Sequence, residues 1–503
     1  MLVDENDYYD GFRTFAWLSD FIGLPIDQVN FVLSQITALV LAGLLRSTLN
    51  PLAVPQATRH AFGLVIGLCL GYFCFGKQAV HLAGLPAICY IAMRTKDPKV
   101  MQTYVLTLAI GYLSSIHVYR QIYDYGSYHL DITGPLMVIT QKVVSLAYNI
   151  HDGVTRLESE LTPTQRYQAV KIMPTALEYF SYVFHFQALM AGPVIFYRDY
   201  VDFIHGSGIR GTQPLTIFYD KSPQQLDEIV LEPRPTMIVM KKVVASLMCA
   251  VIFVTFIPSY PIQRIKDENF LENTSAAYII WYLMIATMMV RFKYYYAWLF
   301  ADAICNNSGL GRNGRNPDGS VKWDLISNVD VIPFELSLSL RDTVEHWNKG
   351  TNRWLRSVVY ERVKRHKVLL TYTLSAVWHG FYPGYYLTFA SGVLFTTASR
   401  TVRRHLRPYF LDSKPAKFFY DVLTFIATRI IVAYITFSFV VLEFLPSIRV
   451  WLRLYLAPHL LGLAAIFVLP LLPLKKETKK TTDSEITKPR PSEVTNGYAN
   501  KSE

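Results

Sequence analysis

Residues 237–257 read MIVMKKVVASLMCAVIFVTFI, with no charged side chain after Lys242. A helix needs about 20 mostly apolar residues to cross a bilayer core. This run is therefore expected to be a membrane span, and the fold class turns on how often such runs recur. They recur along almost the whole chain, at 32–45, 61–82, 100–118, 132–147, 177–196 and 276–289, then at 368–381, 385–398, 418–444 and 452–472. The expectation is an all-α, polytopic integral membrane protein with about eleven transmembrane or re-entrant helices. Several runs fall short of a full span or contain Gly and Pro, so some are expected to be re-entrant or buried in protein.

Composition agrees. Of 503 residues, 51% are hydrophobic and 17% charged, against about 25% charged in a typical soluble protein. The start, MLVDENDYYDGF, is acidic and lacks the basic first region and apolar core of a cleavable signal peptide. The first span is expected to act as a signal anchor. Cys69, Cys74, Cys89, Cys249 and Cys305 lie in or beside apolar runs with no metal-ligand spacing, so they read as buried small hydrophobes. No metal is expected. The net charge of +11 fits basic residues flanking spans on the cytoplasmic side better than nucleic-acid binding, because no basic soluble domain accompanies it.

The boundaries follow from these patterns. Residues 1–24 form an acidic N-terminal segment, 25–473 one membrane domain and 474–503 a polar tail expected to be disordered. Lys475, Lys476, Lys479 and Lys480 directly follow the last apolar run and place that end on the cytoplasmic side.

Function is sought where polar groups interrupt apolar runs, because an ionisable group at membrane depth is costly and usually faces a cavity. Asp124, Asp131 and Lys142 form a first island, read as a loop and an interfacial helix start. His185 and Gln187 form a second, read as packing. In the third, Tyr295, Trp298, Asp302 and either Cys305 or Asn306 share a helical face, where Asp302 either lines a cavity or ties helices together; Trp323 and Asp324 follow in a loop that shapes the site. The fourth, EHWNKGTNRWLRSVVYERVKRHK (345–367), puts Arg353, Arg356, Lys364 and Lys367 on one helical face and Trp354, Leu355, Val358 and Val359 on the other, with Arg362 off the pattern. It reads as one helix in the membrane interface.

The Trp347–Asn348 pair, WLRSVVYERV and LSAVWHGFYPGYYLTF, together with PIDQVNF, TGPLMVITQK, KYYYAW and WDLISN in order, resemble the membrane-bound O-acyltransferase family in its lysophospholipid acyltransferase branch. The resemblance spans nearly the whole chain. It implies two catalytic positions, the histidine of WHG, His379, and the asparagine of WN, Asn348, with Asn352 as a rival to the latter. Trp347, Trp378, Tyr295, Trp298, Asp302, Arg353 and Arg356 are the candidate substrate-binding residues. Lys349, Gly350 and Arg312 depart from the branch's pattern, which leaves chain and headgroup preference open.

What the resemblance implies is transfer of a fatty acyl chain from acyl-CoA, as co-substrate, to the free hydroxyl of a lysophospholipid. The acceptor is expected to be lysophosphatidylethanolamine or lysophosphatidylserine and the donor of oleoyl type, in the endoplasmic reticulum membrane. No bound cofactor is implied. A neutral buried imidazole suits a general base, and an asparagine amide suits an oxyanion or a substrate contact. The basic residues of 353–367 are either phosphate contacts or topology determinants. Other hydroxyl acceptors (sterol, diacylglycerol, protein) and a non-enzymatic transporter or lipid scaffold are the alternatives.

Overall fold

The computed structural model describes residues 9–126, 130–206 and 234–471. The disordered tail expected at 474–503 and the first eight residues lie outside them. Described residues form helices and loops with no strand, only one isolated bridge between Arg315 and Val321. The chain is an all-helical, polytopic membrane protein, as its apolar runs imply.

The N-terminal half comprises α1 (Ala16–Ile22), α2 (Ile26–Ser47), α3 (Gln56–Phe75), α4 (Ala79–Thr95), α5 (Met101–Tyr123), α6 (Thr133–Thr155), α7 (Pro163–Gln168), α8 (Ala176–Phe184) and α9 (Tyr197–His205). The second half comprises α10 (Thr236–Phe256), α11 (Glu268–Glu272), α12 (Ala276–Ser308), α13 (Val331–Glu335), α14 (Leu340–His346), α15 (Lys349–Leu355), α16 (Lys367–His379), α17 (Pro383–His405), α18 (Lys414–Val441), α19 (Phe444–Arg453) and α20 (Ala457–Phe467). Local chemistry sets many of these limits. Ser275 and Ser413 cap the starts of α12 and α18 through their hydroxyls, and Gly309 ends α12 in the left-handed conformation.

Among the described residues, five helical stretches are long and apolar enough to cross a membrane: α2, the run 56–95 that holds α3 and α4, α10, α12 and α18. The pair α19 and α20, bent by 76°, makes a sixth if counted as one span. Other stretches expected as spans take different forms. The run 132–147 lies in α6, whose inner residues are buried in protein, including Lys142, and 177–196 is not a span at all. There α8 stops at Phe184 and residues 185–196 follow without helix, buried in the core. Helix α16 has 13 residues, about 20 Å at 1.5 Å per residue, too short to cross. Its C-terminal end packs against α5, with Ala376 and Trp378 buried there.

The single interfacial helix expected over 345–367 is also replaced. Asn348 and His366 adopt left-handed backbone with φ of 43° and 53°, which breaks the segment into α14, α15 and a π-turn at 356–360. Trp354, Leu355 and Val358 are buried in the protein core, not in lipid. Arg362, off the amphipathic pattern, reaches Asp152 of α6 with two hydrogen bonds of 2.8 and 2.6 Å. An amphipathic stripe records which face is apolar; whether it meets lipid or protein depends on what packs there.

All five cysteines are free, four of them buried, but Cys69 is exposed on α3. An apolar helix in a membrane can turn a cysteine outward without meeting water.

Lys242, the last charge of the opening run, reaches Asp302 of α12 at 2.6 Å, the Trp323 carbonyl at 2.8 Å and Ser327 at 3.3 Å. Removing one partner of a buried ion pair typically costs about 3–5 kcal/mol, because the other charge is left uncompensated. Asp302→Ala is thus expected to lower the melting temperature of the purified protein sharply, and the apolar pair Lys242→Met with Asp302→Leu to regain most of the loss. Thermal unfolding in detergent measures both.

Candidate functional site

Helix α16 carries His379 as its last residue. The turn after it is fixed by α5: the His117 ring donates from Nε2 to the Trp378 carbonyl at 3.1 Å, and Gln121 reaches the Phe381 carbonyl at 3.5 Å. Gly380 holds φ at 115°, and a Cβ there would sit 3.1 Å from the His117 ring. Only glycine lets α5 approach this closely while the chain reverses. Trp378 is pinned by its indole N–H on the Met137 carbonyl at 3.0 Å.

The His379 ring donates from Nδ1 to the Ser375 carbonyl at 2.7 Å. That bond fixes the tautomer and leaves Nε2 with its lone pair. Among the described residues nothing hydrogen-bonds Nε2. Around the ring stand Phe389, Phe439 and Tyr385, with centroids at 5.1, 5.1 and 5.9 Å. Such a setting suits a neutral imidazole.

Asn348 sits between α14 and α15 in the left-handed conformation, which asparagine tolerates better than most residues. Its side-chain oxygen accepts from the Asn328 amide at 3.2 Å. Asp330 reinforces the turn, accepting from Lys349 at 2.9 Å and from His346 at 2.8 Å. Lys349, a departure from the expected pattern, thus fastens the strained turn.

Both His379 and Asn348 line one cavity of about 2230 Å3. Trp347, Trp378, Trp298, Asn352, Arg353 and Arg356 line it too. Trp347 packs against Trp298 at 4.9 Å and Phe334 at 5.1 Å. Asn352 donates to the Val344 carbonyl at 3.1 Å and Arg353 to that of Leu325 at 3.3 Å, while Arg356 pairs with Glu361 at 2.8 Å. Asp324 also lies on the wall. Tyr295 and Asp302 stand behind it: the Tyr295 hydroxyl donates to Glu335 at 2.7 Å, and Asp302 holds Lys242 and Ser327. Their helical spacing predicts a face shared with Trp298; Trp298 meets the cavity, while Tyr295 and Asp302 turn toward protein.

His185 is a packing residue, bonded at 2.7 Å to the Tyr182 carbonyl and stacked on Tyr200. Neither His117 nor Asn328 stands out from the sequence as a site residue. His117 has no local motif, only a polar partner four residues on in Gln121; Asn328 ends the quoted WDLISN.

Among the described wall residues, twelve are Lys or Arg and four are Asp or Glu, set in a mostly apolar lining. The cavity suits a ligand that joins an apolar chain to several negative charges. Residues 94–437 match the model of the membrane-bound O-acyltransferase family. The chain belongs to that family.

Relatives of this membrane-bound O-acyltransferase carry more specific names. It is 56% identical to lysophospholipid acyltransferase 6 of Drosophila melanogaster over 467 residues, which cover 93% of this chain and 64% of that protein. Against membrane-bound glycerophospholipid O-acyltransferase 2 of Homo sapiens the identity is 40%, covering 93% of this chain and 89% of the relative. Against the lysophospholipid acyltransferase of Schizosaccharomyces pombe it is 32%, covering 90% and 88%.

Replacing Gly380 tests how the acyltransferase holds its histidine. Gly380→Ala forces an L-residue into a left-handed conformation and a Cβ against His117, a strain of about 1–3 kcal/mol. A lowered melting temperature in detergent is expected, and unchanged melting would show that α5 yields freely.

Proposed function

We propose that the protein is a lysophospholipid acyltransferase: it moves a fatty acyl chain from acyl-CoA to the free hydroxyl of a lysophospholipid in membrane phospholipid remodelling. The observation that carries this reading is one positively lined cavity holding both an unengaged His379 Nε2 and the Asn348 amide. The relatives named lysophospholipid acyltransferase and glycerophospholipid O-acyltransferase support it. Lysophosphatidylethanolamine or lysophosphatidylserine is the proposed acceptor and an oleoyl-type thioester the donor. The proposed location is the endoplasmic reticulum membrane, with the C-terminal tail in the cytosol.

The reaction runs in a ternary complex without a bound cofactor. His379 Nε2 takes the acceptor's hydroxyl proton as its oxygen attacks the thioester carbonyl, forming the new C–O bond. Asn348 meets the resulting oxyanion or fixes the substrate beside it; one such donor is worth about 3 kcal/mol. The C–S bond then breaks, and the CoA thiolate recovers the proton from His379. A thiol leaves readily, so no covalent enzyme intermediate is needed. The wall's arginines face the donor's phosphates, and the apolar lining rewards each buried methylene by ~0.8 kcal/mol.

The test incubates purified protein with labelled acyl-CoA and a panel of lysophospholipids, cholesterol and diacylglycerol. Fastest transfer to a lysophospholipid is expected. Transfer mainly to sterol or diacylglycerol would move the acceptor class, and an intact thioester with every hydroxyl would favour a transporter or lipid scaffold. His379→Ala is expected to abolish transfer while insertion and expression persist. Asn348→Ala should lose more rate than Asn352→Ala; the reverse order would shift the second role to Asn352.

A further inference from the structure

Asn328 touches three consecutive residues of the turn that carries Asn348. Its backbone carbonyl accepts from the Lys349 N–H at 2.8 Å, its side-chain oxygen from the Gly350 N–H at 2.9 Å, and its side-chain NH2 donates to the Asn348 oxygen at 3.2 Å. Asn328 is 3% exposed. Gly350 is what lets it approach, since a Cβ there would lie 3.0 Å from the Asn328 oxygen and 3.2 Å from the Val194 nitrogen.

The polarity of this contact follows from one group that has no choice. A backbone N–H can only donate, so the end of the Asn328 amide facing Gly350 is its oxygen. The other end is then NH2, which requires an acceptor, so Asn348 must turn its oxygen toward Asn328. That leaves the Asn348 NH2 as the end without a partner among the described residues, in a side chain on the cavity wall.

We infer that Asn328 is a positioning residue which sets the Asn348 amide so that it offers the cavity an N–H donor and not a carbonyl oxygen. This rests on the reading that Asn348 takes part in acyl transfer, and it deepens that reading. An N–H donor meets the negative charge that builds on the thioester oxygen, whereas a carbonyl oxygen in its place would repel it.

Changing the polarity of Asn328 without changing its shape tests this. In Asn328→Asp, the carboxylate still accepts from Gly350 but has no donor for Asn348, whose amide then rotates to give its NH2 to Asp and its oxygen to the cavity. Asn328→Ala removes the bias without reversing it. Steady-state rates of the purified full chain are compared with those of Asn348→Ala, with both substrate KM values, the pH profile and size-exclusion behaviour recorded. At neutral pH the expected losses in kcat are about 100-fold for Asn328→Asp and about tenfold for Asn328→Ala, with KM values nearly unchanged. In mildly acidic buffer, Asn328→Asp is expected to recover, because the protonated acid donates an O–H to Asn348 again; the wild type has no such recovery. A purely structural Asn328 would favour the isosteric Asp over Ala, with no acid rescue.

Near-normal turnover by Asn328→Asp, an Ala variant worse than the Asp variant, or a loss that acid does not relieve would each overturn the inference. If Asn328→Asp is not recovered folded, Asn328→Ala decides alone: unchanged kcat overturns it, and about a tenfold fall at constant KM supports it. Near-normal turnover by Asn348→Ala would sink the underlying reading, whereas a large loss there with none at Asn328 would sink the positioning role alone.

Discussion

The buried bond between Lys242 and Asp302 organises much of this molecule. A charge in a membrane helix must find a partner, and Lys242 finds one on α12 while also holding the carbonyl of Trp323 and the hydroxyl of Ser327. The loop between α12 and α13 is thereby drawn against the helices. Its next residue, Asn328, grips the turn at 348–350. The expense of an unpaired charge in apolar surroundings thus becomes the means of placing a polar loop inside the protein.

A second chain of contacts places the histidine. Helix α16 is too short to cross, so its end needs support from within, and α5 supplies it through His117 and Gln121. The glycine after His379 lets the two elements meet. On the other side Arg291 and Arg429 converge on Glu335, which also accepts from Tyr295. The cavity therefore has a wall of aromatics, Trp298, Trp347 and Phe334, packed beside paired charges. Of that group Arg291 lines the cavity itself, while Glu335, Arg429 and Tyr295 stand behind Trp298 and Trp347.

The candidate residues were legible to different degrees. His379, Trp378, Trp347 and Asn348 stand in short motifs whose order along the chain is informative, and all four line the cavity. Tyr295 and Asp302 were correctly placed on a helical face, but periodicity does not say what that face meets. The stripe Trp354, Leu355 and Val358 has the same ambiguity, since lipid and protein interior reward apolar surface alike. His117 lies 262 residues from His379 in the chain, and no local pattern can announce a contact over that separation.

The sequence by itself determined the solvent of this protein, its helical class and the residue types available for acyl transfer. Backbone polar groups in lipid must be satisfied within a segment, so long apolar runs commit to helix before any tertiary contact forms. Tertiary structure decided which helices cross, where the amphipathic segment breaks and which polar groups face the cavity. Those choices depend on long-range partners: Asp152 for Arg362, Lys242 for Asp302, His117 for the turn at Gly380 and Asn328 for Asn348. The direction of an amide is the finest of them, and it is fixed by a backbone N–H belonging to another part of the chain.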